Sequence, residues 1–415
     1  MTAAAVIFAL TYLVIGLQRI PRLHLGRPAG ALLGAVAMVA WGVVDFESAK
    51  RAIDLDTILF LLGMMIVLAY LELSGFFAVV ERRVLGLAGS ARGLLWLVVL
   101  SSGVLAALFM NDTVCLMLTP VVVRVTRRLG LPAAPYLIAL ATASNIGSTA
   151  TIVGNPQNAL VAVRSGLGLL PFASALWPVA AIGLVVDGLL LRWIYRRSLS
   201  GAPLVVPPPR QPIEVQRWIL AASLLAGTGM VIALALGAHP AAAAMTAGAA
   251  VVLAGATRPR RALQQVDWSL LLFFGGLFVV MRGVEGAGLA HAVVDGIAGP
   301  LAGPLAGSSA AVLARLAAAV TVLSQAVSNV PAVMLFLHTM QALPAEAART
   351  LWLGLAAFST LAGNLTIIGS VANVIVFETA RRDGVKVGFL EYLKVGVPLT
   401  FVTLLAAWWW LALVR

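Results

Sequence analysis

The chain has 415 residues, of which 61% are hydrophobic and only 11% charged, with a mean hydropathy of +1.02. That balance excludes a water-soluble domain, and apolar runs long enough to cross a bilayer recur along the whole length, so the chain reads as an all-α polytopic membrane protein. The net charge of +12 does not indicate nucleic acid, because the basic residues sit in short loops between apolar runs, and the alternation that a membrane β-barrel requires is missing.

Taken in chain order, spans are expected at 3–18, 28–44, 57–73, 134–165, 172–192, 215–236, 240–256, 268–282, 350–380 and 391–412. The first run lacks a basic n-region and is followed by basic residues, so it reads as a span with its N-terminus outside rather than as a cleaved signal. Two further apolar segments, 93–126 and 307–341, carry a polar break midway and read as re-entrant helical hairpins. The basic clusters at Arg19–Arg27, Arg82–Arg92, Arg124–Arg128, Arg192–Arg217, Arg258–Arg261 and Arg381–Lys394 then all fall on one side. Lys50, Arg51, Arg164, Arg282, Arg315, Arg349 and Arg415 fall on the other side or in the spans. The asymmetry obeys the positive-inside rule and places both termini outside a cell (inner, cytoplasmic) membrane. Basic clusters flank 93–126 at both ends, so that segment must return to the cytoplasmic side. Trp408–Trp410 reads as an interfacial aromatic anchor.

The chain repeats itself. Asp54, Gly63, Glu72 and Gly75 match Asp267, Gly276, Glu285 and Gly288; Asn111 matches Asn329; Thr151, Ile152, Gly154 and Asn158 match Thr366, Ile367, Gly369 and Asn373, in order and at nearly constant spacing. Residues 1–198 form a first repeat with hairpin 93–126 and broken helix 134–165. Residues 199–214 are a Pro-rich cytoplasmic linker, whose stiffness explains it without a recognition role. Residues 215–415 form a second repeat with hairpin 307–341 and broken helix 350–380. Five spans is an odd number, so the second repeat must insert upside down. Two inverted-topology repeats with helices broken at the midplane are the architecture of secondary transporters.

Four polar breaks interrupt the apolar background: MNDT (110–113), TIVGNPQN (151–158), SNVP (328–331) and NLTIIGSVAN (364–373). Irregular backbone at membrane depth is tolerated only when buried in protein or lining a wet cavity, so the breaks point to one shared site. Broken helices expose carbonyls, which suit a cation, and N–H groups, which suit an anion. Gly154 permits the turn, Asn155 caps, and Pro156 begins the next helix; Gly369 and Ser370 play the same parts in the second repeat. Ser328 and Asn329 cap the returning arm of the second hairpin. The candidate ion and substrate residues are Asn111, Asp112, Thr113, Thr151, Gly154, Asn155, Asn158, Ser328, Asn329, Thr366, Gly369, Ser370 and Asn373. Na+ is placed near Asp112, Gly154 and Asn158, and near Asn329, Gly369 and Asn373. Asp112, an ionisable group at a hairpin tip, is either a coupling residue or a helix cap. Asp187 is expected to salt-bridge or to face the membrane interface, and Arg282 to pair with Glu285. Cys115 is the only cysteine and the four histidines are scattered, so no metalloenzyme is expected and no cofactor beyond a coupling Na+ or H+.

FMNDTVCLMLTP (109–120) and SQAVSNVPAVML (324–335) resemble the two hairpin signatures of arsenite efflux permeases and their bacterial anion-permease relatives. TIVGNPQN and NLTIIGSVAN resemble the paired unwound-helix motifs of the wider ion transporter superfamily, which includes divalent-anion/sodium symporters. The resemblance covers essentially the whole chain. It implies a scaffold domain, a homodimer and a transport domain moving by an elevator motion. It implies one half-site at Asn111, Asp112, Thr113, Gly154 and Asn158, and another at Ser328, Asn329, Gly369 and Asn373. The chain departs from the dicarboxylate branch, whose Ser-Asn-Thr tips bind carboxylates, because its tips read Asn111-Asp112-Thr113 and Ser328-Asn329-Val330. A single cysteine makes no trithiolate arsenite site, so arsenous acid would be held by hydrogen bonds. The expected function is therefore transport of a small anion or oxyacid coupled to Na+ or H+. The competing reading is a Na+/H+ antiporter with Asp112 as carrier. A channel lacks the continuous path, and an enzyme lacks a nucleophile–base pair. The chain has no ATP-binding loop; a separate ATPase subunit, as some arsenite pumps have, stays compatible with it.

Overall fold

The computed structural model describes residues 2–17, 26–87, 89–199, 214–255, 259–289, 308–341 and 345–413, together with Val294 and Leu343. Most of the linker expected at 199–214 and the first residue of the segment 307–341 lie outside the described residues. Where no water can reach the backbone, an apolar segment must pair its N–H and C=O groups internally, and every regular element among the described residues is a helix.

The chain begins with α1 (Thr2–Leu17), α2 (Arg27–Ala40), the short α3 (Phe46–Ala52) and α4 (Leu55–Leu73). Asp45 and Asp54 start the last two by accepting from Ser48 N (2.9 Å) and Thr57 N (3.0 Å). After α5 (Phe76–Leu87) come α6 (Ala91–Leu108) and α7 (Asn111–Arg128), which pack on one another and meet at Phe109–Met110. α8 (Ala134–Ser148) and α9 (Pro156–Ser165) flank a break, and α10 (Leu169–Ile194) follows. The remainder runs through α11 (Arg217–Ala235), α12 (Pro240–Ala254), α13 (Pro259–Gln265), α14 (Trp268–Gly286), α15 (Ser309–Val327), α16 (Asn329–Gln341) and α17 (Ala345–Ala362). A 3-10 turn at Ile367–Gly369 leads into α18 (Val371–Arg382), and α19 (Phe389–Leu413) is the last element. Seven of these helices are long and apolar enough to cross a membrane, and three shorter ones are apolar too. The chain is a multi-pass membrane protein. α3, α5 and α13 were not expected; each is too short to cross and lies between longer helices.

Two packing regimes divide the molecule. α4 lies along α12, and α14 lies along α2. Both contacts depend on a glycine matched across the sequence repeat: Gly63 abuts the backbone of Ala244, and Gly276 abuts that of Ala31. Apolar helices in lipid gain nothing from the hydrophobic effect, so close backbone approach through small residues supplies the attraction. α8 is different. Every residue from Pro135 to Ser148 is buried, and the helix is enclosed by α6, α7, α10, α17 and α18. The terminal tryptophans join this body rather than only the membrane interface: Trp408 Nε1 donates to Ala310 O (2.8 Å) on α15, and Trp410 Nε1 to Ala175 O (2.7 Å) on α10.

Neighbouring glycines test the first regime. A Cβ on Gly276 would stand 2.7 Å from the carbonyl carbon of Ala31, whereas one on Gly275 meets nothing within 4 Å. Gly276→Ala is expected to destabilise the detergent-solubilised protein by about 1–3 kcal/mol, as overpacking does. Gly275→Ala is expected to leave the thermal unfolding midpoint unchanged or slightly raised.

Candidate functional site

At the first break α8 stops at Ser148 and α9 begins at Pro156, where a missing N–H costs nothing. Asn155 caps α9 by accepting from Asn158 N (2.8 Å). Asn158, one turn inside the new helix, turns its amide back and donates to Ser148 O (3.0 Å) and Thr151 O (2.9 Å). Gly154 lies so close to the end of α8 that a Cβ would sit 2.7 Å from Ser148 Cα, and its carbonyl accepts from Asn111 N (2.9 Å) at the start of α7. Thr151 donates to Ala107 O.

The second break uses the same device. Asn373 donates to Gly363 O (2.8 Å) and Thr366 O (3.1 Å), the positions matching Ser148 and Thr151. Thr366 accepts from Gly369 N (3.1 Å) and donates to Gln325 Oε1 (2.7 Å). Asn329, with its amide oriented as its neighbours require, donates to Gly369 O (3.0 Å) and Ser359 O (3.1 Å).

Two local expectations fail. Ser370 makes no capping bond; its hydroxyl donates to Asn145 Oδ1 (3.1 Å). Ser328 and Asn329 do not cap the returning arm as expected. Ser328 closes α15 at φ +76° and ψ 165°, and it is the one non-glycine residue with positive φ among the described residues. The reversal between α15 and α16 takes place over this single residue, which forces that conformation.

Asn145, in the body of α8, joins the two breaks. Its oxygen accepts from Asn111 Nδ2 (3.0 Å) and Ser370 Oγ (3.1 Å), and its nitrogen donates to Asn364 Oδ1 (2.9 Å) and Asn373 Oδ1 (3.0 Å). An amide has two donors and two acceptor sites, and all four are used. Thr360 on α17 receives Asn155 Nδ2 (3.3 Å) and Gln157 Nε2 (3.2 Å), tying α17 to the start of α9. Tyr392 OH donates to Asn364 O (3.0 Å). Sequence reasoning missed Asn145, Gln157, Thr360, Asn364 and Tyr392 as site residues. The available signal was that Asn145 and Thr360 stand at the same distance from Asn158 and Asn373, each polar in an apolar helix.

Asp112 and Thr113 stand beside this cluster. The N-cap of α7 is Met110, so Asp112 is not the cap; it lies in the first turn, where a negative charge suits the helix N-terminus. Among the described residues its carboxylate makes no hydrogen bond or ion pair, and Arg27 and Asp267 act on it electrostatically. Thr113 is half-buried. Thus Gly154 meets Asn111, and Asn329 meets Gly369, while the Asp112 carboxylate bonds to neither group. No cluster of His, Cys, Asp and Glu that would hold a metal occurs among the described residues. The carbonyls of Ser148, Thr151, Gly363 and Thr366 face amide nitrogens, so the cluster is a neutral lattice of donors and acceptors. Asp187 neither salt-bridges among the described residues nor faces an interface. It is fully buried in α10, and both oxygens accept from Thr142 Oγ1 (3.0 Å each). Likewise Arg282 and Glu285 form no ion pair among the described residues.

Asn145→Ala strips partners from Asn111, Ser370, Asn364 and Asn373 together. The expected result is a loss of about 1–3 kcal/mol or more in unfolding free energy in detergent, because buried polar groups are left unpaired. Asn145→Asp keeps the shape but removes both donors, and is expected to destabilise as well.

A sequence model described as a citrate transporter matches residues 10–357. A silicon efflux transporter, LSI3, from Oryza sativa subsp. japonica is 30% identical over 464 residues, covering 96% of this chain and 95% of that protein. A Dictyostelium discoideum protein carrying the transporter name arsB is 25% identical over 492 residues, covering 92% of this chain and 86% of the other. Among solved structures, the Alcanivorax borkumensis YdaH transporter superposes with a TM-score of 0.57 over 99% of this chain and 96% of that one, at 13% sequence identity, a likeness of fold alone.

Proposed function

Because the chain belongs to the citrate transporter family, we propose that it is a secondary active transporter that moves a small anion or oxyacid across the membrane, coupled to Na+ or H+. It is a transporter and not an enzyme. The observation that carries the finer reading is the Asn145 junction: two broken helices and one hairpin tip converge on one buried amide. Residues 1–198 and 215–415 act as inverted repeats in this reading. Their breaks form a shared site that an elevator motion carries across a cell membrane, with both termini outside and a homodimer as the working unit. A neutral lattice of amides and hydroxyls suits a ligand with both hydroxyl donors and oxygen acceptors, such as an oxyacid, and the names of the rice and Dictyostelium relatives lean the same way.

The second reading is Na+/H+ antiport through Asp112, favoured by a carboxylate that has no bond among the described residues. Charge movement in proteoliposomes on a solid-supported membrane separates the two. Citrate, arsenite and silicic acid are each offered with and without Na+, and then across a pH step. Current or uptake that needs a solute is expected, and Asp112→Asn is expected to keep solute exchange. Current from a Na+ or pH step alone, abolished by Asp112→Asn, would establish antiport instead.

A further inference from the structure

A cavity of about 440 Å³ lies at the far ends of the elements that build the site. Its lining includes Arg51 of α3, Arg164 in the last turn of α9, and Arg282, Phe278 and Glu285 of α14. Arg164 Nε lies 2.7 Å from Asp54 Oδ2, and the guanidinium stands 5.9 Å from the centre of the Phe278 ring. Arg51 and Arg282 are exposed and form no ion pair among the described residues.

Three observations set this cavity apart. Basic residues are scarce away from the cytoplasmic clusters, yet Arg51, Arg164 and Arg282 gather here. The fold does not demand them, because the positions matching them in the other repeat are Gln264, Thr379 and Ala69. Two helices also join the cavity to the site. α9 starts at the first break and α16 at the tip residue Asn329; the two helices pack together and both end at the cavity, α9 spanning about 15 Å. Met281 lies in the cavity wall, and Tyr12 OH touches both its sulfur and Pro331 O (3.4 Å each) beside the tip.

We propose that this cavity is an anion-binding antechamber to the transport site. It takes an anion with two or more charged oxygens, a carboxylate or a tetrahedral oxyanion, forked by the Arg51 and Arg282 guanidiniums while Arg164 stays anchored on Asp54. Guanidinium forks match such oxygens in pairs, and a concave cationic mouth raises the local concentration of anions. The purpose assigned to the cavity rests on the transporter reading; its chemistry does not.

The test is isothermal titration of the purified full-length protein in nanodiscs with citrate and with sulfate. Saturable binding is expected, about tenfold weaker in Arg282→Gln and in Arg51→Gln, as loss of one charge-assisted contact implies. Lys50→Gln removes the same charge from the neighbouring position of α3, which pairs with Glu47 and does not line the cavity, and is expected to bind like the wild type. Equal binding by wild type and both arginine variants, an equal loss in Lys50→Gln, or no binding of either anion overturns the proposal. If Arg282→Gln fails to fold, Arg51→Gln on its short surface helix carries the test. The two readings fail separately. Anion binding with no solute transport sinks the transporter and leaves the antechamber, whereas transport of neutral arsenous acid with no anion binding does the reverse.

Discussion

A carbonyl freed in the middle of a membrane has no water to turn to, and leaving it unpaired costs kilocalories. The architecture depends on how this chain meets that constraint. It breaks two helices inside the apolar interior and returns a side-chain amide to the orphaned carbonyls of each. Asn158 serves Ser148 and Thr151; Asn373 serves Gly363 and Thr366. A side chain one turn into the next helix stands in for the backbone donor that the break removed. Once both breaks are stabilised this way, their remaining polar edges face one another, and Asn145 becomes the natural meeting point.

That arrangement explains why the molecule packs in two different ways. The body around α8 is polar at its centre and bonded in three dimensions, so it holds its shape by specific bonds. The pairs α4–α12 and α14–α2 have no such network and rely on glycine contacts and dispersion.

Much of this was legible because polarity is conspicuous in an apolar sequence. The four breaks, Asn111, Gly154, Asn158, Asn329 and Asn373 stood out by composition and by their repetition. The hub did not. Asn145 lies inside α8 rather than at a break, and nothing local shows that a buried amide has partners from far along the chain. Asp112 drew notice through its charge, yet the geometry leaves it beside the hydrogen-bonded cluster. Ser370 stands where Asn155 caps the matching helix, but its hydroxyl, one bond shorter than an amide, bonds Asn145 instead of a backbone N–H. The short helices α3, α5 and α13 escaped because a hydropathy window long enough to find spans averages over them.

The saturation of Asn145 has a consequence for what occupancy means. An amide with all four positions engaged has nothing spare to offer a newcomer, so a ligand that reaches it substitutes for an internal partner. Each hydrogen bond that such a ligand makes to Asn145 then replaces one inside the protein, and only the difference between the two counts toward affinity. The protein's own side chains act as resident competitors. If the proposed cargo binds at Asn145, it is held loosely there, and a solute that cannot mimic the partner it displaces gains nothing by entering.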